Sequence, residues 1–523
     1  MYTRTVAAAL ALGLLTGGAQ AESLRWSSKG DAATLDPHGL AEGLTLGFLG
    51  NVYEGLLRRG KDLALEPALA TRWKSTGADV WRFTLRSGVK FHDGRPFTAE
   101  DVKFSFERAS AEGSGIRSMV GSIREVKVVD ALTVDVVTNG PAPILPEEIS
   151  NWLIMSASWA AENKATEAAS VRRDVQNHAT THANGTGPFR ITSREQDVRT
   201  ELAPNGAWWD TPEHNLTKAT VSPIMADATR IASLLSGESD MVYPVPVQDM
   251  DRIVKTDGVK LLSGPELRTI FLGMDVSRDE LIYSNVKGKN PLKDVRVRKA
   301  FYQAIDVNAI NNKLMRGQAT PTGLMIGPGI NGFDPALNDR YAFDPAAARE
   351  ALAAAGYGDG FELGLDCPNN RYVNDESICK AVVSMLAKVG VKVQLNAMPK
   401  AQYFKKLRDL DTSFYLLGWT SGTYDAHHPL RFLMSTPNKE KRLGSWNFGG
   451  YSDARTDELV AAIGRELDPA RRQEMINEAF TIHKQAVGHI PLHQQSLAWG
   501  VRENVGLVQR ADNFFNLRWV VVN

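Results

Sequence analysis

Two short stretches carry side chains suited to gripping a small polar molecule. Cys367 to Asn374 holds Arg371, Tyr372 and Asn374; Trp419 to His428 holds Trp419, Tyr424, Asp425 and His427. A guanidinium presents five donors in a plane and takes a carboxylate or phosphate in two-pronged fashion. Its plainer use is a surface pair with Asp375 or Glu376. A buried aspartate has to meet a cation or remain wet, so Asp425 either meets a ligand cation or serves as a solvated loop residue or helix cap. Trp419 can stack on a ligand or close a buried strand as ordinary core.

Covalent and metal chemistry have thinner support. Cys367 and Cys379 are the only cysteines, twelve positions apart, and the pair predicts one disulfide, with two free core thiols as the alternative. His178 and His182 stand at i, i+4, while the adjacent His427 and His428 diverge on most backbones; chance pairs are common among ten histidines, and no metal or other cofactor is expected. The chain lacks a Gly-X-Ser-X-Gly elbow, a His-Glu-X-X-His motif, a Cys-X-X-Cys motif and a phosphate loop ending Gly-Lys-Ser or Gly-Lys-Thr. Gly327 to Gly332 fits Gly-X-Gly-X-X-Gly, but Phe333-Asp334-Pro335 follows it, and no helix opens there as dinucleotide binding requires. The expectation is a binding protein and not an enzyme.

Both candidate stretches end strands. Phe361 to Cys367 reads as a strand; Ile378, Ala381, Val382, Met385, Leu386 and Val389 form a helix stripe closed by Gly390; Val391, Val393 and Leu395 alternate as a second strand. A short helix near Gln402 to Arg408 leads to the apolar strand Phe414 to Gly418. Connections of that length predict parallel pairing with right-handed crossovers, and open α/β sheets bind ligands beyond the carboxyl ends of their strands.

Other elements carry their own signals. Val80 to Arg86 alternates with Trp81, Phe83 and Leu85 on one face. Thr98 caps a helix over 99 to 109 whose first turn holds Glu100 and Asp101. Val126 to Val128 and Val134 to Val136 flank Asp130-Ala131 as a hairpin. A helix follows Asp294 on the stripe Val297, Ala300, Phe301, Ala304 and Ile305, and another runs from Asp344-Pro345 to Gly356.

The first residues read as an export leader: Arg4, the apolar run Val6 to Leu15, then the small-residue site Ala19-Gln20-Ala21, so the mature chain begins at Glu22. No cysteine at the cleavage site carries a lipid, and no later apolar stretch is long enough to span a bilayer. A soluble periplasmic protein is expected, in a compartment where disulfides persist. Lysine and arginine balance aspartate and glutamate at 60 each, and losing Arg4 leaves about one net negative charge, which gives no footprint for nucleic acid. A chain of 523 residues requires two or three domains.

The run Leu69-Ala70-Thr71-Arg72-Trp73, Trp81 to Arg86 and Val89-Lys90-Phe91-His92-Asp93-Gly94-Arg95-Pro96-Phe97-Thr98-Ala99-Glu100-Asp101-Val102 resembles the signature of extracellular solute-binding proteins of family 5, the dipeptide, oligopeptide and nickel-binding proteins of ABC importers. Gly185-Thr186-Gly187-Pro188-Phe189, Ser236 to Asp240, Asp294 to Ala300 with Ala304-Ile305-Asp306, and the helix ending Ala355-Gly356-Tyr357 are similar to further family segments and follow in family order. The resemblance implies an α/β, two-lobed periplasmic binding protein of class II type, with an extra domain inserted in lobe one. Carried onto this chain, residues 1–21 are the signal peptide; 22–47, 185–262 and 491–523 form lobe one; 48–184 is the inserted domain; 263–490 is lobe two. A small, peptide-like polar ligand is then enclosed between the lobes, and membrane permease and ATPase subunits of an ABC importer are the partners of a monomeric protein. A periplasmic hydrolase of peptides or glycans and a ligand-presenting sensory protein stand as alternatives.

In peptide-binding relatives an aspartate three residues after a tryptophan anchors the ligand amine, and an arginine on the preceding strand-end loop anchors its carboxylate. Arg371 resembles that arginine. Position 422, three residues after Trp419, is glycine, which leaves Asp425 as the expected substitute and peptides, opines, sugar conjugates and metal chelates as ligand classes.

Overall fold

The computed structural model describes residues 22–523; the expected leader, residues 1–21, lies outside the described residues. In chain order, the elements that frame the site begin with β1 (Glu22–Ser28) and the short helix α1 (Gly43–Leu49), whose preceding Glu42 accepts hydrogen bonds from the N–H groups of Leu44 and Thr45. A separate four-stranded antiparallel sheet follows, built from β2 (Ala70–Gly77), β3 (Val80–Leu85), β4 (Ile123–Asp130) and β5 (Thr133–Thr138) in the order β2-β3-β5-β4. Helix α2 (Ala99–Ser110) covers it, opened by Thr98 with Asp101 returning to the Thr98 N–H. Phe83, Val102, Val134 and Val136 meet in a core whose buried members run from Leu56 to Ile154, with Ala41 and Trp209 packed against it.

The chain then contributes β6 (Phe189–Glu195), β7 (Arg199–Pro204), β8 (Leu216–Val221), β9 (Met241–Tyr243) and the 16-residue β10 (Val259–Met274). Helices α3 (Val295–Ala304) and α4 (Pro345–Ala354) come next, each opened by an aspartate, Asp294 and Asp344, that accepts from first-turn N–H groups. The final section is β11 (Phe361–Pro368), α5 (Asp375–Ala387), β12 (Val391–Met398), α6 (Lys400–Arg408), β13 (Phe414–Thr420), α7 (Pro469–Ala486) and β14 (His489–Arg502).

These strands join in one sheet ordered β12-β11-β13-β10-β14-β9-β1-β8-β7-β6. At one end β11 pairs in parallel with β12 and β13; at the other β1 pairs in parallel with β8 and β9. The long antiparallel pair β10 and β14 joins the two parallel blocks. Ile270, Phe301, Leu365, Ile378 and Phe414 pack the core beside the first block, and Trp26, Tyr243, Trp499 and Phe515 pack the core beside the second.

The β10–β14 ladder breaks at one place. Pro265 faces Ser496 and Thr269 faces Gln494, so the single residue Gln495 stands opposite Glu266, Leu267 and Arg268. A bulge re-aims the side chains of the bulged strand, and here it carries Glu266 and Arg268 just ahead of the apolar run Ile270 to Met274.

Candidate binding cleft

The loop after β11 is fixed from four directions. Asp375, at the start of α5, accepts the backbone N–H groups of Arg371 and Tyr372 at 2.8 and 3.0 Å. Asn374 adopts φ +55°, a left-handed conformation that asparagine tolerates, and its side chain donates to the Leu314 carbonyl at 2.8 Å. Cys367 and Cys379 are disulfide-bonded, tying the end of β11 to α5. Finally, the Val373 N–H donates to Gln495 Oε1 at 3.0 Å, while Gln495 Nε2 donates to Glu266 at 2.6 Å.

Because Asp375 is occupied by backbone donors and Glu376 pairs with Lys380 at 2.6 Å, neither neighbour takes the Arg371 guanidinium. Among the described residues no carboxylate lies within 4 Å of it, and it stands 5.1 Å from the Tyr372 ring centroid. Arg268 approaches the same ring at 6.0 Å and pairs with Glu266 at 3.1 Å. Crowding by protein, then the neighbouring charge of Arg268, lowers the Arg371 pKa. Desolvation is the largest influence on Arg268 too, but Glu266 and Tyr372 together outweigh it and raise that pKa. Tyr372 donates its hydroxyl to the Gly418 carbonyl, and a Cβ on Gly418 would come within 2.7 Å of the tyrosine ring. Glycine is therefore what lets the aromatic ring lie against β13.

A cavity of about 370 Å³ opens here. Arg371, Tyr372, Arg268 and Glu266 wall one side; Trp419, Trp446 and Phe404 form an aromatic wall; Glu42, Met119, Asn151, Asp512 and Phe514 come from distant parts of the chain. Trp419 packs against Trp446 at 5.4 Å between ring centroids and donates its indole N–H to His428 at 3.1 Å. Tyr424 also borders the cavity, with its hydroxyl committed to Asp512 at 2.9 Å and its ring beneath the Arg59 guanidinium at 4.1 Å.

Of the seven side chains singled out from sequence, Arg371, Tyr372, Trp419 and Tyr424 line this cavity, and Asn374, Asp425 and His427 do not. Asn374 is spent on Leu314. Asp425 is fully buried and bonded to Arg472 of α7 at 2.7 and 2.9 Å, and to the Asn331 amide at 2.7 Å. The cation that a buried aspartate needs comes from the protein itself. His427 makes a 3.1 Å hydrogen bond between Nε2 and the Val460 carbonyl and borders a second cavity, shared with Glu148 and Arg431. Burial takes its pKa down to about 4, and that of His428 down to about 3. His178 and His182 stack ring on ring at 3.9 Å, and no group of three or more metal-ligating side chains is assembled among the described residues.

Sequence reading missed Glu42, Glu266, Arg268 and Gln495. Glu266 and Arg268 did leave a signal, a charged pair bracketing Leu267 at the head of the apolar run Thr269 to Met274. Glu42 left none, because its place in the cavity wall depends on chain folding back from the far end of the sequence.

The fold is shared with known proteins. Residues 64–441 match the family described as bacterial extracellular solute-binding proteins, family 5 middle. The chain is 26% identical over 483 residues to the glutathione-binding protein GsiB of Salmonella typhimurium, covering 90% of this chain and 89% of that one. Among solved structures, HbpA2 from Haemophilus parasuis superposes with a TM-score of 0.81 at 23% identity, over 96% of this chain and 100% of the other. DppA from Helicobacter pylori, in complex with the peptide STSA, superposes with a TM-score of 0.77 at 21% identity, over 96% and 98%.

Proposed function

We propose, from the premise that this chain belongs to the bacterial extracellular solute-binding proteins of family 5, that it is the substrate-binding component of an ABC importer and takes a short, peptide-like ligand into the cleft beside Arg371. The observation that carries this reading is the Arg371 guanidinium, held by its loop at the edge of a cavity of about 370 Å³ with no carboxylate of its own. A ligand carboxylate supplies the missing partner in two-pronged geometry. The aromatic wall of Trp419, Trp446 and Phe404 then receives the apolar part of the ligand. The names of relatives support the ligand class: one binds glutathione and another is in complex with the peptide STSA. These relatives are named as binding proteins, which favours capture over turnover.

In this reading the leader at residues 1–21 sends a soluble monomer to the periplasm; among the described residues no helix is long and apolar enough to cross a membrane. Lobe one comprises 22–47, 185–262 and 491–523, the inserted domain 48–184, and lobe two 263–490. The cavity is bordered by all three, so ligand contacts favour the closed arrangement that permease and ATPase subunits recognise. Moving such an equilibrium from mostly open to mostly closed takes on the order of 5 kcal/mol of differential affinity, within reach of a few desolvated charged contacts.

The experiment is titration calorimetry of the purified protein with glutathione, the dipeptide Met-Leu and the tetrapeptide Ser-Thr-Ser-Ala, alongside native mass spectrometry of protein taken from its own periplasm. Saturable binding of at least one peptide, or a co-purified peptide-like mass, is expected. A non-peptide ligand in the native spectrum with no peptide binding overturns the reading.

A further inference from the structure

A smaller cavity, of about 70 Å³, lies where the C-terminal segment meets the chain around Glu54. It shares Leu46, Asn151 and Phe514 with the larger cleft, but among the described residues its charged wall is its own: Arg58, Arg59, Arg510 and Arg518, with Glu54 as the one carboxylate. Three of these arginines are paired. Arg58 meets Asp210 at 2.8 Å and Glu66 at 3.2 Å, Arg59 meets Glu147, and Arg510 meets Asp512 at 2.5 Å.

Arg518 is not paired. The residue is only 8% exposed, and among the described residues no carboxylate lies within 4 Å of its guanidinium. Its Nη2 donates to the Arg59 carbonyl at 3.2 Å, its Nε is buried without a partner, and the group stands 4.3 Å from the Trp519 ring centroid. Leaving a buried cation without an anion is costly. Burial, and then the neighbouring charge of Arg58, push the Arg518 pKa down to about 10. A cavity of this size holds several waters or one small oxyanion.

Glu54 sets a condition on that oxyanion. Its buried carboxylate accepts Trp209 Nε1 at 2.8 Å, the Thr186 hydroxyl at 2.9 Å and Trp208 Nε1 at 3.2 Å. A carboxylate offers about four acceptor positions, so capacity for one more donor remains. Glu54 is close enough to Arg518 to hold the arginine's pKa up, and burial raises its own. A fully deprotonated anion such as sulfate brings only like charge to it. Inorganic phosphate near neutral pH keeps a P–OH that donates to Glu54, while its other oxygens take the guanidinium fork.

We infer that this cavity is an inorganic phosphate site, in which Arg518 holds the anion and Glu54 accepts its proton. The site is separate from the peptide reading of the larger cleft and does not depend on it. Filling it fastens the C-terminal segment to the chain around Arg59, whose carbonyl already accepts Arg510 at 2.8 Å as well as Arg518.

The probe is sodium phosphate, titrated calorimetrically near neutral pH beside sodium sulfate at matched ionic strength, with melting temperatures taken in each salt and in chloride. The wild type should bind one phosphate, about tenfold or more tighter than sulfate, and melt higher in phosphate by mass action. Arg518→Gln should weaken phosphate at least about tenfold and abolish that rise. It should not lower the melting temperature in chloride, because it removes an unpaired buried charge. Glu54→Gln should bring the two anions to similar affinity. The Arg371 guanidinium can itself take a phosphate, so Arg371→Ala is the control for binding in the larger cleft, and phosphate affinity should persist in it. No saturation of the wild type at about 10 mM phosphate overturns the inference. So does equal affinity for sulfate, or phosphate binding that survives Arg518→Gln and disappears with Arg371→Ala. If Arg518→Gln does not fold, the wild-type and Glu54→Gln titrations decide between the same outcomes.

Discussion

The Arg472 guanidinium holds both carboxylate oxygens of Asp425, at 2.7 and 2.9 Å, with the two side chains 7% and 0% exposed. The pair bolts the loop after β13 to α7, and the Asn331 amide and the His427 N–H complete the aspartate's shell. Removing one member leaves the other charged and buried, at a cost of about 3 to 5 kcal/mol. Asp425→Asn should therefore lower the urea unfolding free energy by that amount. A loss below about 1 kcal/mol would mean that the pair is not the fastening we describe.

Acid should destabilise the protein earlier than carboxylate titration alone requires. Burial takes His38, His427 and His493 down to about 4, and His428 and His489 down to about 3. Unfolded histidine titrates near ~6.5. Above that value both states are neutral and stability is complete; below it the unfolded chain binds protons that the folded chain refuses, until the pH reaches the folded values. Each such histidine removes about 1.4 kcal/mol per pH unit in that window. The urea midpoint should hold level from about pH 8 to 7 and drop steeply between about pH 6 and 5. A level midpoint across the lower interval contradicts the buried, neutral assignment.

The local elements were legible because their signals are local. Asp294 and Asp344 cap the helices expected of them, Gly390 closes α5 at φ +92°, and the strand-helix-strand order from Phe361 to Thr420 puts Arg371 and Trp419 at neighbouring strand ends. Asp425 and Asn374 fall outside the cavity lining for one cause. Each side chain has a partner far away in sequence, Arg472 and Leu314, and neither spacing nor periodicity can announce it. The same limit hid the bulge opposite Gln495, because register between β10 and β14 joins residues more than 200 positions apart.

Gln495 should act on affinity through Arg371 without touching ligand. Its amide joins the buried Glu266 to the Val373 N–H, linking the bulge to the Arg371 loop. Gln495→Met keeps the volume but leaves a buried N–H and a buried carboxylate each short of a partner, costing about 1 to 3 kcal/mol of stability. Peptide affinity should fall as well, because a looser loop orders Arg371 only on binding. Stability lost without any change in affinity would confine Gln495 to a role in folding.

Arg371→Ala is the decisive substitution for the cleft. Arg371 is an exposed residue whose partly crowded guanidinium makes no ion pair within the protein, so its loss should change the melting temperature little. Truncating one partner of a partly desolvated charge pair costs about 2 to 5 kcal/mol of binding, roughly thirty-fold to several-thousand-fold. Arg371→Lys should recover only part of this, since an ammonium keeps the charge and loses the planar fork. Losing Arg371 also frees Arg268 of a repelling neighbour, so a fraction of carboxylate binding is expected to persist through Arg268. The double variant Arg268→Gln, Arg371→Ala separates the two, and titration of a bound peptide against all four proteins measures each step. If Arg371→Ala binds that peptide within about three-fold of the wild type, less than 1 kcal/mol, the carboxylate is held elsewhere and the placement of the ligand against this loop is wrong.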